Sequence, residues 1–539
     1  MSSLPDFILS IINPLASRWG WLNLKVTSLA VNGLVNRGRN RPHPWSTLTS
    51  YVSWRSLTDK RYYARLLPAD EQFPTTAAMG TRCPPADEVV KLFPAEGNQR
   101  PCPKSTCLFP AFAQYLTDGF IRTKLDNDDT KSRRDQTTSN HDIDLSQLYG
   151  RIQDQTFALR LMSNVTGARG RLKCQQINGE EFSPWLMKRD GSGVEVEFTA
   201  LDAPLGFDHV SPRGLLTLFA VGGDRVNAAP QTAMINTLFL REHNRLAGEI
   251  GAANSTWTDD RVFETARNSV IVMFIKIVVE EYINHINSSP FKLRARPEVA
   301  YRAKWNRSNW ITAEFALLYR WHSLVPQAMT WGGESYDGTS TLLDNSLLLE
   351  CGLVGSFVDV SSNSATELGL GNSASFLRKA ELKAVEQGRF NRLASFALYC
   401  QAMGKPVPAS FETLVGSSSD PVEQTRRSAL ATRLAELYGN VENLEFYVGL
   451  FAEPRTRNSP LPDLVNSMVA MDAFSQALTN PLLSEHIWGN KKNRLGTFTK
   501  HGLAAIEATA TLRDVLERNG SGLNDRFVAL TKKDWKRSK

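Results

Sequence analysis

The chain has 539 residues, of which 42% are hydrophobic and 22% charged, and a formal net charge of +7. This composition gives an ordinary globular protein with ample core, and its length alone suggests two or more domains. Lys and Arg are spread along the sequence apart from short clusters at 37–41 and 532–539, which argues against a dedicated nucleic-acid surface. The six cysteines (Cys83, Cys102, Cys107, Cys174, Cys351, Cys400) are too few for a disulfide scaffold, and none has a zinc-type pairing.

In chain order, the N-terminus shows neither a basic leader nor a long apolar run, so no cleaved signal peptide is read, and no stretch is long enough to span a bilayer. The expected location is cytoplasmic or peripheral to a membrane. Residues 5–36 carry Trp19, Leu22, Val26 and Leu29 at helical spacing beside Trp21, Leu24, Val31 and Val35. Arg37, Arg39 and Arg41 follow, so residues 5–41 read as amphipathic helices for a membrane interface or a channel mouth. A helical hairpin packed on the main body is an equally good reading. An aromatic connector (45–67) and a Pro-rich irregular stretch lead to a first helix at 108–122. The mixed charges of 126–135 read as a solvated loop, and 185–198, with Asp-Gly in the turn, as a β-hairpin. From 212 onward the pattern is almost wholly helical: 230–251, 257–288, 311–325, 375–402, 424–438, 461–479 and 498–518. The fold class is mainly α with minor β.

The most informative segment is Thr312-Ala-Glu-Phe-Ala-Leu-Leu-Tyr319-Arg-Trp-His322-Ser-Leu-Val-Pro326. Read as a helix, it sets Tyr319 and His322 three residues apart on one face. Histidine is a natural axial ligand for haem iron, and a nearby phenol could exchange an electron and a proton with that group. Two buried amphipathic residues with local hydrogen bonds would give the same pattern.

Six motifs in order carry a resemblance: Phe112-Ala-Gln114-Tyr-Leu-Thr-Asp118, Asp144-Leu-Ser146-Gln-Leu-Tyr149-Gly150, Leu240-Arg-Glu-His243-Asn-Arg245, Glu281-Tyr282-Ile-Asn-His285, Glu314 through His322, and Leu437-Tyr-Gly followed by Glu445-Phe-Tyr447. The chain resembles the peroxidase–cyclooxygenase superfamily, and within it the fatty-acid-oxygenating, cyclooxygenase-like branch. The resemblance runs from about Trp45 to Glu517 and implies a single large helical domain, against the suggestion from length. The expected organisation is an N-terminal segment (1–44), a catalytic domain (45–520) and a basic tail (521–539).

By the resemblance, His322 is the iron ligand and Tyr319 the residue that becomes a radical and takes hydrogen from a fatty acid. Tyr447 reaches the ligand, directly or through water, and Tyr282 orients the radical phenol. Gln114, Asp118 and Arg225 occupy the opposite face of the haem. Asp118 stands where the family normally has histidine, so either a carboxylate serves as the proton-moving base or peroxidase turnover is weak. Arg225 would stabilise negative charge on the leaving oxygen. The positions that form ester links in mammalian-type peroxidases correspond to Thr117 and Ala228, implying haem b held without a covalent bond. Calcium is not expected, since Gly119 replaces an acidic ligand and only Asp144 and Ser146 remain of the loop half of that site.

The resemblance further implies a substrate tunnel lined by Ile283, Ile286, Phe315 and Trp321, with Ser475 as a channel residue and Arg37, with Arg39 as competitor, as a carboxylate clamp at the mouth; a solvated basic cluster is an equally good reading of these arginines. The implied reaction is insertion of O2 into an unsaturated fatty acid of the linoleate or oleate class, giving a hydroperoxide. A homodimer is compatible with this reading. A small-molecule haem peroxidase of the same fold and a non-catalytic haem- or membrane-binding homologue are the rival readings.

Overall fold

The computed structural model describes residues 6–36, 58–69, 83–125 and 133–538. Its centre is the helix Pro230–Ala253, which begins with proline at its first position, where the missing N–H costs nothing. Most of its side chains are buried, polar ones included. It packs against Leu108–Asp118, Asp259–Ile277, Ser346–Ser362 and Leu512–Asn519. The polar residues inside it are satisfied locally. The Tyr149 hydroxyl lies 3.0 Å from Nδ1 of His243, and Nε2 lies 2.8 Å from the Gly170 carbonyl. Glu242 accepts from Arg245, Arg518 and Asn519. The Leu240–Arg245 motif is therefore a buried brace, and burial pushes His243 down to about 4, keeping the ring neutral.

Strand content among the described residues is four two-stranded sheets, each small and antiparallel. One correction to the sequence reading lies at 185–198. The turn forms, with the Lys188 N–H donating to the Gly193 carbonyl at 2.9 Å, but Met187 and Val194 make only an isolated bridge. Val196–Phe198 then turns into a 3-10 helix, and Trp185 pairs with Phe219 instead of a hairpin partner. The helix Ser346–Ser362, absent from the expected set, is bent at Gly352 (φ 66°), a conformation that interrupts its period.

The N-terminal segment forms two helices, Asp6–Arg18 and Gly20–Val35. The second packs on the helix Asp463–Leu478 through an inner face that buries Val31 and Val35. On the outer side Trp21 is 60% and Leu29 76% exposed, with Trp19 stacked on Trp21. Arg37, Arg39 and Arg41 lie outside the described residues. Among the described residues no helix is long and apolar enough to cross a membrane.

The expected helix at 311–325 is the second correction, and it matters most for function. The helix covers only Ala313–Leu318, started by the Thr312 hydroxyl capping the Phe315 N–H. Tyr319 and Trp321 leave helical geometry (ψ 17° and 45°), and a short 3-10 turn, His322–Leu324, follows. The Trp321 indole N–H donates to the Leu318 carbonyl at 2.7 Å, the acceptor a continuing helix would have offered to His322. Tyr319 and His322 thus do not share a helix face, and any meeting of the two has to come from tertiary structure.

The expected 257–288 helix runs as Asp259–Ile277, then loosens into a π-turn at Val278–Ile283 before Asn284–Ile286. Such bulges occur frequently at functional sites, and this one carries Tyr282. The 375–402 expectation divides into Arg378–Phe390 and Phe396–Ala402, separated by Arg392 at positive φ (48°).

A cavity that joins Tyr319 and His322

A cavity of about 340 Å³ lies between the helix Leu108–Asp118 and the segment that follows Leu318. Gln114 and Thr117 line one side, Tyr319, Arg320, Trp321 and His322 the other, and Arg225 part of the remaining wall. The interrupted helix delivers both rings to one space by a route other than helical periodicity. The volume falls within the usual range of small-molecule and cofactor pockets.

His322 is steered by a residue that the sequence reading missed. Its Nδ1 lies 3.1 Å from Oε2 of Glu381, on the helix Arg378–Phe390. The buried Glu381 carboxylate also accepts from the Tyr447 hydroxyl at 2.6 Å and from the Ser373 hydroxyl at 2.6 Å. Tyr447 therefore reaches the imidazole through Glu381. Burial beside Glu381 holds the Tyr447 phenol well above its ordinary pKa, so it remains a donor. About two helical turns further on, Arg389 donates to Glu445 at 2.7 Å, and Tyr438 binds the other oxygen. This second brace fixes the helix Phe446–Ala452, and with it Tyr447, against Glu381. With Nδ1 turned to a carboxylate, the imidazole has Nε2 left for a metal.

Tyr319 is packed between aromatic rings. Phe315 lies 4.7 Å from it, centroid to centroid, and Trp321 also 4.7 Å at a 21° interplanar angle. Behind it, the fully buried Tyr282 hydroxyl has no hydrogen bond of good geometry, and Tyr319 is its polar neighbour. Burial pushes both phenols up, so neither is a phenolate near neutral pH. Oxidation of Tyr319 must then remove an electron and a proton together.

The opposite wall departs from expectation. Gln114 is exposed to the cavity, but Asp118 is not part of the wall. The Arg122 guanidinium, at i+4, donates to Asp118 Oδ1 at 3.1 Å and to its carbonyl at 2.7 Å. The loop Gly222–Arg225 closes over the carboxylate so tightly that a Cβ on Gly223 would stand 2.0 Å from Oδ2. Thr117 takes the cavity position instead. Arg225 lines the cavity while donating to the Ile121 carbonyl at 3.2 Å and lying 3.8 Å from Asp118.

Burial pushes the Asp118 carboxyl up to about 7, with Arg122 opposing. An acid whose folded pKa exceeds its ordinary value stabilises the fold fully below that ordinary value and loses the contribution as pH rises through the folded one. Asp118→Asn carries no charge to bury, so its melting temperature relative to wild type is expected to rise between about pH 5 and about pH 8. Scanning fluorimetry at the two pH values measures this; a difference that stays constant or falls refutes the assignment.

Other expected residues sit away from the cavity wall. Ile283 and Ile286 are buried in the core, and Ser475 is buried with its hydroxyl donating to the Asp472 carbonyl at 2.9 Å. Phe315 touches the cavity only through Tyr319. Asp144 accepts from the Ser146 N–H at 2.8 Å, and the Ser146 hydroxyl donates to Gly119, so these groups are engaged within the loop. Thr117 and Ala228 both lie on the wall and neither carries a carboxylate.

The cavity thus brings together an imidazole beside a carboxylate, a stacked phenol and two arginines. Residues 119–353 and 381–528 match the animal haem peroxidase family, and the chain belongs to that family. It is 30% identical over 487 residues to prostaglandin G/H synthase 1 of Canis lupus familiaris, covering 87% of this chain and 74% of that protein. Among solved structures, the fatty acid alpha-dioxygenase of Arabidopsis thaliana superposes with a TM-score of 0.69 at 14% identity, over 99% of this chain and 98% of that one. Peroxidase A of Dictyostelium discoideum gives 0.65 at 18% identity, over 88% and 95%. These structures share the fold, and family membership makes the protein a haem oxidoreductase. The cavity residues fit the group: with Nδ1 facing Glu381, His322 on the wall keeps Nε2 for a metal, and Trp321, Trp331, Met329 and Phe376 supply apolar wall.

Proposed function

We propose that the protein is a haem-dependent fatty-acid dioxygenase, with His322 holding the iron and Tyr319 abstracting hydrogen from an unsaturated fatty acid. The observation that carries this reading is the shared cavity, in which the Tyr319 phenol and the His322 imidazole line one wall although the helix between them is broken. The relatives, prostaglandin G/H synthases by sequence and fatty acid alpha-dioxygenases by fold, support the substrate class. Haem b, when bound, supplies the oxidising equivalent drawn from a peroxide.

The chain's own residues do the rest. Glu381 holds the imidazole by Nδ1, and Tyr447 and Ser373 hold Glu381. Tyr319 gives up its hydroxyl hydrogen to become a radical, and the fatty acid restores it by giving one from carbon. The resulting carbon radical adds O2, and the peroxyl group takes a hydrogen back to yield the hydroperoxide. Phe315 and Trp321 keep water from the phenol, and Tyr282 turns its hydroxyl to it. Gln114 and Arg225 face the peroxide side, while Asp118 is held within the Arg122 pair, which argues for a slow peroxidase and a radical regenerated at each turnover. The absence of a carboxylate at Thr117 and Ala228 supports haem held without covalent bonds.

The reading is tested on haem-loaded protein by oxygen uptake with linoleate and oleate, product mass spectrometry, and hydrogen-peroxide-driven oxidation of guaiacol. Rapid oxygen uptake with a hydroperoxide product and slow guaiacol turnover is expected. Fast guaiacol turnover without oxygen uptake would instead identify a small-molecule peroxidase.

A further inference from the structure

The mechanism leaves one cation on the cavity wall without a task. Arg320 lines the cavity between Tyr319 and Trp321. Its Nη2 donates to Gln387 Oε1 at 3.2 Å and lies 3.5 Å from Thr123 Oγ1, whereas Nε is buried without a hydrogen-bond partner. No ion pair joins Arg320 to a carboxylate among the described residues; the charged groups acting on it are a second cation, Arg225, and, more weakly, the Glu381 carboxylate, which is already engaged by Tyr447 and Ser373. Arg122 differs: it is fully buried and has Asp118, Asp202 and Asp224 around it.

The guanidinium is nevertheless held in place. Gln387 also donates to Thr123 Oγ1 at 3.1 Å, and the Tyr63 hydroxyl meets the same Thr123 oxygen at 3.0 Å. A cation desolvated beside another cation and fixed by neutral hydrogen-bonding groups is arranged to receive an anion from outside the chain. The planar fork of arginine suits a carboxylate in particular.

We propose that Arg320 is the carboxylate anchor of this cavity, with Arg225 adding to the attractive field. The chemistry has two sources, a propionate of the porphyrin or the head group of a fatty acid, and the inference rests on the haem reading given above. Tyr63, Thr123 and Gln387 act as positioning residues for the anchor.

The test uses haem-loaded wild-type, Arg320→Gln and Arg320→Lys proteins. Haem loss to excess apomyoglobin is followed by absorbance, in parallel with protein loaded with haem dimethyl ester. KM is measured for linoleate and for methyl linoleate. A propionate anchor is expected to give Arg320→Gln at least about tenfold faster haem loss, Arg320→Lys an intermediate rate, and equal rates for all three with the dimethyl ester. If haem loss is unchanged but KM for linoleate rises about tenfold while that for methyl linoleate does not, the anchor holds the substrate head group. Unchanged haem loss and KM, or changes of equal size with the esterified partners, overturn the proposal. A wild-type protein without a Soret band overturns the haem reading and this inference with it; a normal Soret band with indifferent variants overturns this inference alone.

Discussion

Tyr319→Phe is expected to leave haem uptake and the Soret band intact while lowering oxygen uptake on linoleate by at least about a thousandfold, a barrier increase of about 4 kcal/mol. The variant keeps the ring, and so keeps the stacking against Phe315 and Trp321 at 4.7 Å each. It loses the single O–H from which a radical is made. Packing costs are therefore small, and the effect reports on chemistry. Because burial holds the Tyr319 phenol protonated, raising the pH within the neutral range should not rescue or abolish the wild-type reaction through this group. An oxygen electrode and absorbance spectra of the two proteins measure the effect; a Tyr319→Phe enzyme with wild-type oxygen uptake would remove the phenol from the mechanism.

Glu381→Gln is expected to produce the second large effect. The substitution keeps the shape and an acceptor toward His322 Nδ1, but removes the negative charge that lies 3.1 Å from it. A carboxylate on the far nitrogen raises the basicity of a ligating imidazole, and loss of such a partner typically costs about 10–100-fold in metal affinity or activity. The Fe(III)/Fe(II) potential should move to more positive values, since less electron density reaches the iron. A structural role alone would lower stability without moving the potential. Spectroelectrochemical titration of wild type, Glu381→Gln and Tyr447→Phe separates the two. Tyr447→Phe, which takes one hydrogen bond from Glu381 but leaves its charge, should shift the potential in the opposite direction, because an undercompensated carboxylate pulls harder on the imidazole proton. Potentials equal to wild type in both variants would make Glu381 a packing residue only.

The sequence made the pair Tyr319 and His322 legible but gave the wrong reason for their meeting. Periodicity treats 311–325 as one helix because it contains no Gly or Pro until Pro326. What ends the helix is a tertiary arrangement, the Trp321 indole occupying the Leu318 carbonyl, and such side-chain competition leaves no periodic signal. Gln114 and Asp118 show the converse failure. Spacing of four put them on one face, yet a second step of four places Arg122 under Asp118, and the ion pair draws the carboxylate inward. The Arg122 residue was readable in sequence; the approach of Gly223, which seals the pair, was not.

Glu381 was invisible for a different reason. It stands 59 residues after His322 in a helix rich in Arg, Lys and Glu, where an acidic residue reads as solvated surface. Only folding buries it against Ser373, Tyr447 and His322. Tyr447 was found through its motif, but its route to the imidazole required that missing carboxylate. The long helices at 230–251 and 461–479 came through well because their apolar faces are continuous and their ends carry Pro or an acidic first turn.

The most direct measurement is electron paramagnetic resonance of haem-loaded protein treated with a hydroperoxide, before and after anaerobic addition of linoleate. Wild type should give a tyrosyl signal that linoleate converts into a fatty-acyl carbon radical, and Tyr319→Phe should give neither the conversion nor the carbon radical. A tyrosyl signal indifferent to linoleate, or the same conversion in Tyr319→Phe, would contradict the assignment of Tyr319 as the hydrogen-abstracting residue.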